Sequence, residues 1–228
     1  MLMKEQKQFT HVDKTWVLNE LNAENIDGGR FYNCPIGGLP SVTTITGWKK
    51  RRFFAEWRAN NPEESARVCK RGNILHETIE DYLNNKEIDL ESMPPVEHEL
   101  FTQLLPTLNK IDNIYELESP LWSKVMGVAG RVDCIAEYDG KLSVIDFKGS
   151  TRRKSRNNIK EYFMQATAYS VAFQERTGIE INNFAILISC EDGAVQVFEG
   201  QPKNYIKMLS NAIREYQDEH KETEQLFN

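Results

Sequence analysis

The chain has 228 residues and 40% hydrophobic content, enough for one substantial core, so one domain with an insertion or a short flanking region is expected. A formal net charge of −6 argues against indiscriminate nucleic-acid binding, and any such site must be a local basic patch. No apolar run is long enough to cross a membrane. The four cysteines (Cys34, Cys69, Cys134, Cys190) lack the close spacing of cluster ligands, which points to reduced thiols in a cytoplasmic protein without an iron–sulfur cluster.

Trp16, Val17, Leu18 and Leu21 suggest a short amphipathic helix ending before Gly28-Gly29. Arg30-Phe31-Tyr32 follows as a short strand, and Pro35 with Gly37-Gly38 marks a turn. Leu39 to Thr46 introduces a helix, and the basic run Lys49-Lys50-Arg51-Arg52 comes directly after it among Trp48, Phe53, Phe54 and Trp57. That composition suits a surface for single strands, where phosphates meet cations and bases stack on rings. A solvated basic face over core aromatics has the same spelling.

Residues 63–85 predict one long helix with Val68, Leu75, Ile79 and Leu83 as its apolar stripe. His76 lies at the edge of that stripe and Gly72 one turn earlier leaves room for close approach; Arg67, Lys70 and Arg71 are candidates for phosphate contact. Residues 86–112 are acid-rich, and Pro94-Pro95 precedes a supporting helix over Val96 to Lys110. A strand over 113–122 carries Glu118, either a metal-side acid or an exposed strand carboxylate.

The centre of the chain is residues 128–150, VAGRVDCIAEYDGKLSVIDFKGS. Two apolar runs flank Asp139-Gly140, a strong signal for a tight hairpin. Each predicted strand holds a carboxylate in apolar company, Asp133 and Asp146. The two-residue strand period puts Lys148 on the same face as Asp146. Two acids and an ammonium at one spot suit a hard divalent cation beside a phosphate.

Downstream, Thr151-Arg152-Arg153-Lys154-Ser155-Arg156 is a basic loop suited to gripping a phosphate backbone without reading sequence. Asn157 is expected to cap a helix running to about Thr177, closed by Gly178, with Gln165 and Tyr169 four apart on one face. Asn183 to Cys190 is a buried strand, Glu191-Asp192-Gly193 a turn, and Ala194 to Phe198 the returning strand. An amphipathic helix over Lys203 to Glu222 and a polar tail complete the chain.

Taken together, these residues resemble the PD-(D/E)XK nuclease superfamily in its RecB-like exonuclease branch, and in particular the mitochondrial genome maintenance exonuclease family and its phage relatives. The likeness rests on Glu118-Ser119-Pro120 leading into the GRVDCIAEYDGKLSVIDFKGS core and on Gln165-Ala-Thr-Ala-Tyr169. It extends to Gly72-Asn-Ile-Leu-His76-Glu77 and Leu39-Pro-Ser41-Val-Thr43-Thr44, and so covers roughly residues 30–216.

The resemblance implies an α/β fold with a mixed central β-sheet flanked by helices in αβββαβ order. A mostly helical N-terminal region, 1–112, would pack over a nuclease core, 113–228, in one integrated unit. It implies a metal-dependent DNA exonuclease favouring single-stranded DNA or flap ends in replication, recombination or repair. A structure-specific endonuclease and a degenerate binding module are the other readings.

The implied metal set for magnesium or manganese is His76, Asp133, Asp146 and the Phe147 carbonyl, with Glu118 as a further candidate. Lys148 would act on the phosphate and the attacking water, and Gln165 and Tyr169 would support it. Ser41, Thr43, Thr44, Lys49, Lys50, Arg51, Arg52, Arg71, Arg152, Arg153 and Lys154 are the candidate DNA contacts. Two departures stand out. Gly149 follows the motif lysine where the family commonly has threonine, leaving Ser150 or Thr151 to supply a hydroxyl. The start MLMKEQKQFTHVDK also does not resemble a mitochondrial presequence, which favours a phage or bacterial source.

Overall fold

The computed structural model describes residues 6–26 and 29–226, so Asp27 and Gly28, the first five residues and the last two lie outside it. Alternation along the central strands decides the architecture. Ile135, Val144, Ile186 and Ile188 face one core cluster, whereas Cys134, Ala136, Ile145, Ala185 and Leu187 face another. Strands buried on both faces need cover on both, and so their sequences are nearly continuously apolar.

The five strands are β4 (Ile111–Ser123), β5 (Val128–Tyr138), β6 (Lys141–Ser150), β7 (Asn183–Cys190) and β8 (Val195–Gly200), in the spatial order 4-5-6-7-8. Before them come β1 (Ala23–Ile26), β2 (Gly29–Cys34) and β3 (Gly37–Pro40) in a separate antiparallel sheet. All pairs of the large sheet are antiparallel except β6–β7, which the helix α5 (Lys160–Thr177) connects. The Asp139-Gly140 turn forms as expected, with φ of 51° and 76° at the two residues, the conformation that favours this dipeptide.

One face of the sheet is covered by α5, by the short α1 (Val42–Thr46) and by α6 (Ile206–Leu226). The opposite face is covered by α3 (Pro62–Leu83) and α4 (Pro95–Leu108), whose Leu75, Ile79, Leu100 and Leu104 are fully buried. Each such side chain contributes roughly 1.5–3 kcal/mol of hydrophobic stabilisation. Between α1 and α3 lies α2 (Arg51–Asn60), which has no buried residue.

Several local expectations give way to tertiary contacts. Residues 16–21 form no helix: Trp16 stacks on Tyr115 at 6.0 Å and donates its Nε1–H to Glu116. The long-range indole contacts hold this segment against β4, where a six-residue helix alone would be marginal. The N-terminal region is therefore not only helical, since it also contains the β1–β2–β3 sheet. Asn157 does not cap α5. It sits inside a 3-10 turn, Arg156–Ile159, and the α-helix starts at Lys160 with no side-chain cap. Gly178 does close α5, with φ of 78°. The last helix runs to Leu226, past the expected Glu222.

Candidate metal centre

The sheet forks where the acids lie. β5 and β6 pair only from Cys134↔Ile145 to Tyr138↔Lys141. Beyond that point β5 continues against β4 and β6 against β7. At the fork, the Phe147 N–H donates to Asp133 Oδ2 at 2.9 Å, so a carboxylate takes up a donor of the parted ladder. Asp146 is buried, 2% exposed, and accepts from Lys148 Nζ through Oδ1 at 2.6 Å. The other Asp146 oxygen, Oδ2, is buried with no hydrogen-bond partner among the described residues.

His76 reaches the fork from α3, with Nδ1 3.6 Å from Asp133 and 3.9 Å from Glu118. Donor atoms of His76, Glu118 and Asp133 lie within 4.8 Å of one another. Glu118 falls in the gap of the β4–β5 register, between Leu117↔Cys134 and Ser119↔Val132, and has φ of 43°. A non-glycine residue seldom holds that conformation, and such positions concentrate at functional sites.

The electrostatics match a cation site. Burial raises the Asp146 carboxyl pKa to about 6, even against the neighbouring Lys148 ammonium. Burial also disfavours protonated His76, but the Asp133 and Glu118 carboxylates outweigh it and hold the pKa above the usual value. Burial acts against the Lys148 charge too, and Asp146 with Asp133 more than compensates, so its pKa is raised and the ammonium persists. A divalent cation fits this set: carboxylate oxygens and one imidazole are available, and the orphaned Asp146 Oδ2 needs a partner.

α5 closes the site from behind. Gln165 and Tyr169 are buried, and both line the cavity with Asp133. Tyr169 explains Gly130: a Cβ there would lie 2.7 Å from the tyrosine hydroxyl. Tyr162 was not singled out in the sequence, yet Lys148 Nζ sits 5.2 Å from its ring centroid. Its spacing of three before Gln165 was the available signal. Arg30, Tyr32, Asn73, Glu77, Glu80 and Arg131 also line the cavity and were likewise not anticipated.

The candidate DNA contacts separate into groups. Ser41 and Thr43 line the same cavity as His76, and the Ser41 hydroxyl lies 2.9 Å from Thr43 Oγ1 and 2.8 Å from Thr44 Oγ1. Lys49 and Lys50 are paired with Glu215 and Glu161, Arg51 lies over Trp48, and Arg52 pairs with Glu56 along α2. Arg152 and Arg153 are exposed and Lys154 is half-buried. Arg71 is a correction: it is 3% exposed, bound to Glu191 and to the Gly149 carbonyl, and so holds α3 to the sheet instead of facing solvent. Gly149 packs beneath Leu75 and Arg71, the Ser150 hydroxyl is turned to the Arg152 carbonyl, and Thr151 is the exposed hydroxyl residue of that stretch. Cys34, Cys134 and Cys190 are buried and Cys69 is exposed, all as free thiols.

No helix among the described residues is long and apolar enough to cross a membrane. Mitochondrial genome maintenance exonuclease 1 of Homo sapiens is 27% identical over 165 residues, covering 71% of this chain and 46% of the human protein. The protein of the same name from Xenopus tropicalis is 26% identical over 176 residues, covering 69% and 50%. The Mus musculus protein is 25% identical over 172 residues, covering 68% and 51%. The chain thus spans about half the length of the curated relatives it matches. The sequence pattern of the PD-(D/E)XK nuclease superfamily matches residues 85–227, which include the forked strands, both aspartates, Lys148 and the α5 face behind them. The chain belongs to the PD-(D/E)XK nuclease superfamily.

Proposed function

We propose that this nuclease is a metal-dependent DNA exonuclease acting on single-stranded DNA or flap ends in replication, recombination or repair, within the cytoplasm. The observation that carries the proposal is the meeting of His76, Glu118 and Asp133 donors within 4.8 Å, beside the Asp146–Lys148 pair. The exonuclease name of the similar proteins supports the mode of attack. Residues 1–112 would guide the strand and 113–228 would form the nuclease core of one integrated unit.

Asp133, Asp146, His76 and Glu118, with the Phe147 carbonyl, would hold magnesium or manganese. The bound cation supplies Lewis acidity and a more acidic water. Lys148 remains an ammonium and neutralises charge on the phosphoryl oxygens as it develops. Water oxygen bonds to phosphorus and releases a proton to solvent, the bond from phosphorus to the bridging oxygen breaks, and the departing oxygen takes up a proton from solvent. Gln165 and Tyr169 hold the rear wall, and Tyr162 keeps the lysine over the site. Ser41, Thr43 and Thr44, the basic stretch from Lys49 to Arg52, and the Arg152–Lys154 loop would receive the strand.

The test uses single-stranded DNA labelled at either end, with magnesium, with manganese and with chelator, beside a circular single strand. Metal-dependent shortening of linear strands, with the circle left intact and no shortening by Lys148→Ala, is the expected result. Cutting of the circle would make the protein an endonuclease. Binding without cleavage in any metal would make it a binding module.

A further inference from the structure

The cavity over the metal centre, about 440 Å³, is largely acidic: Glu77, Glu80, Glu118 and Asp133 all line it. The cations near these acids are mostly committed. Lys148 is held by Asp146. Arg131 is paired with Glu20 and donates to the Glu118 carbonyl. Arg30 differs, because it forms no ion pair with a carboxylate among the described residues, although four acids share its cavity.

The backbone of Arg30 is firmly placed. Its N–H donates to Thr44 Oγ1 at 2.9 Å, and its carbonyl accepts from the Ser41 N–H at 2.7 Å and from Thr44 Oγ1 at 3.2 Å. The guanidinium lies 5.4 Å from the ring centroid of Tyr32, a buried residue that also lines the cavity. A planar cation stacked on an aromatic face loses little freedom when it binds a second group, and its fork of donors matches phosphate oxygens. The exposed Thr43 hydroxyl lines the same wall.

We propose that Arg30, stacked on Tyr32 and flanked by Thr43, forms a phosphodiester subsite that binds the phosphate next to the one being cleaved. This rests on the nuclease reading above. Arg30 is a positioning residue, since it fixes the strand and thereby sets the scissile phosphate over the His76–Glu118–Asp133 group. A neutral cavity wall would leave an acidic pocket that repels the strand it must admit.

The test walks a single methylphosphonate, which removes one backbone charge, along a single-stranded oligonucleotide. Cleavage is read in magnesium, and binding is read by anisotropy in chelator. In the wild-type protein, neutralising one phosphate beside the scissile position is expected to weaken binding and lower kcat/KM about tenfold. Arg30→Ala should lower kcat/KM on the unmodified strand by a similar factor and erase the penalty at that position alone. Arg30→Lys should restore part of it, with melting temperatures unchanged. A position-specific penalty that persists in full in Arg30→Ala, or is missing from the wild-type protein, overturns the subsite. Loss of cleavage in every metal defeats the nuclease reading instead, while the anisotropy profile still decides for or against Arg30.

Discussion

Asp146 combines deep burial, one oxygen on Lys148 and one oxygen without a partner. That arrangement costs stability unless a cation completes it. Asp146→Asn should therefore lower cleavage by at least about a thousandfold, because developing charge loses its stabilisation. In chelator its melting temperature should be no lower than that of the wild-type protein. A variant that cleaves normally removes Asp146 from the site. Gly130 makes a separate demand. A methyl group there meets the Tyr169 hydroxyl, so Gly130→Ala has to displace the ring or the strand. Overpacking of this kind costs about 1–3 kcal/mol. Thermal unfolding should show that loss together with reduced kcat, and unchanged values for both would mean that Tyr169 moves without consequence.

Among the elements, α3 is fixed to the β7–β8 turn by Arg71 and Glu191. Burial pushes the Glu191 carboxyl up, but hydrogen bonds from Arg67 and Arg71 outweigh it and hold its pKa below the usual glutamate value. A carboxylate with a depressed folded-state pKa stabilises the protein above its unfolded-state pKa. That contribution is lost as pH falls through the folded value. Glu191→Gln should accordingly cost about 3 kcal/mol near neutral pH, since it strands a buried guanidinium. The gap from the wild-type protein should close in acid, below the normal glutamate range, and a gap that stays constant with pH refutes the ion-pair account.

Helix α2 presents the opposite case. Phe53 is 64% exposed and Phe54 44%, with their rings edge-on at 5.5 Å. The joint change of Phe53 and Phe54 to alanine should leave the melting temperature unaltered, because neither ring is in the core. If they stack on bases, single-strand affinity should fall about tenfold or more. Unchanged affinity would return α2 to a plain surface helix.

For the whole molecule, a cation held at the proposed centre would couple to folding, because the proposed ligands come from α3, β4, β5 and β6. Magnesium or manganese at a hundred times its dissociation constant should add about 2.7 kcal/mol to the unfolding free energy. Calorimetry that finds no shift with either cation, in a protein free of nucleic acid, would contradict a preassembled metal centre. With the net charge at −6, the proposed strand binding would depend on the local basic segments and should weaken steeply with salt.

The sequence by itself determined the features built from neighbours along the chain. Asp139-Gly140 dictates the hairpin, the strand period puts Asp146 and Lys148 on one face, and the α5 stripe ends where Gly178 takes φ of 78°. Those outcomes depend on backbone sterics and periodicity, which a short window of residues already contains. The shared face of Asp146 and Lys148 was legible for the same reason, whereas the αβββαβ order and the expectation that His76 stands beside the metal came from the resemblance to the nuclease superfamily.

Only the tertiary structure decided what depends on distant partners. Arg71 is spelled like a surface cation, but Glu191, 120 positions away, draws it into the interior. Trp16 to Leu21 has the pattern of a helix, but Tyr115, Glu116 and Phe173 hold its indole against the sheet. Glu118 was open in the sequence between a metal-side acid and an exposed strand carboxylate, and only the folded chain brings it within 4.8 Å of His76 and Asp133 donors, on a backbone of positive φ. Charge and hydrophobicity are properties of residues, whereas burial and pairing depend on what the folded chain brings alongside them.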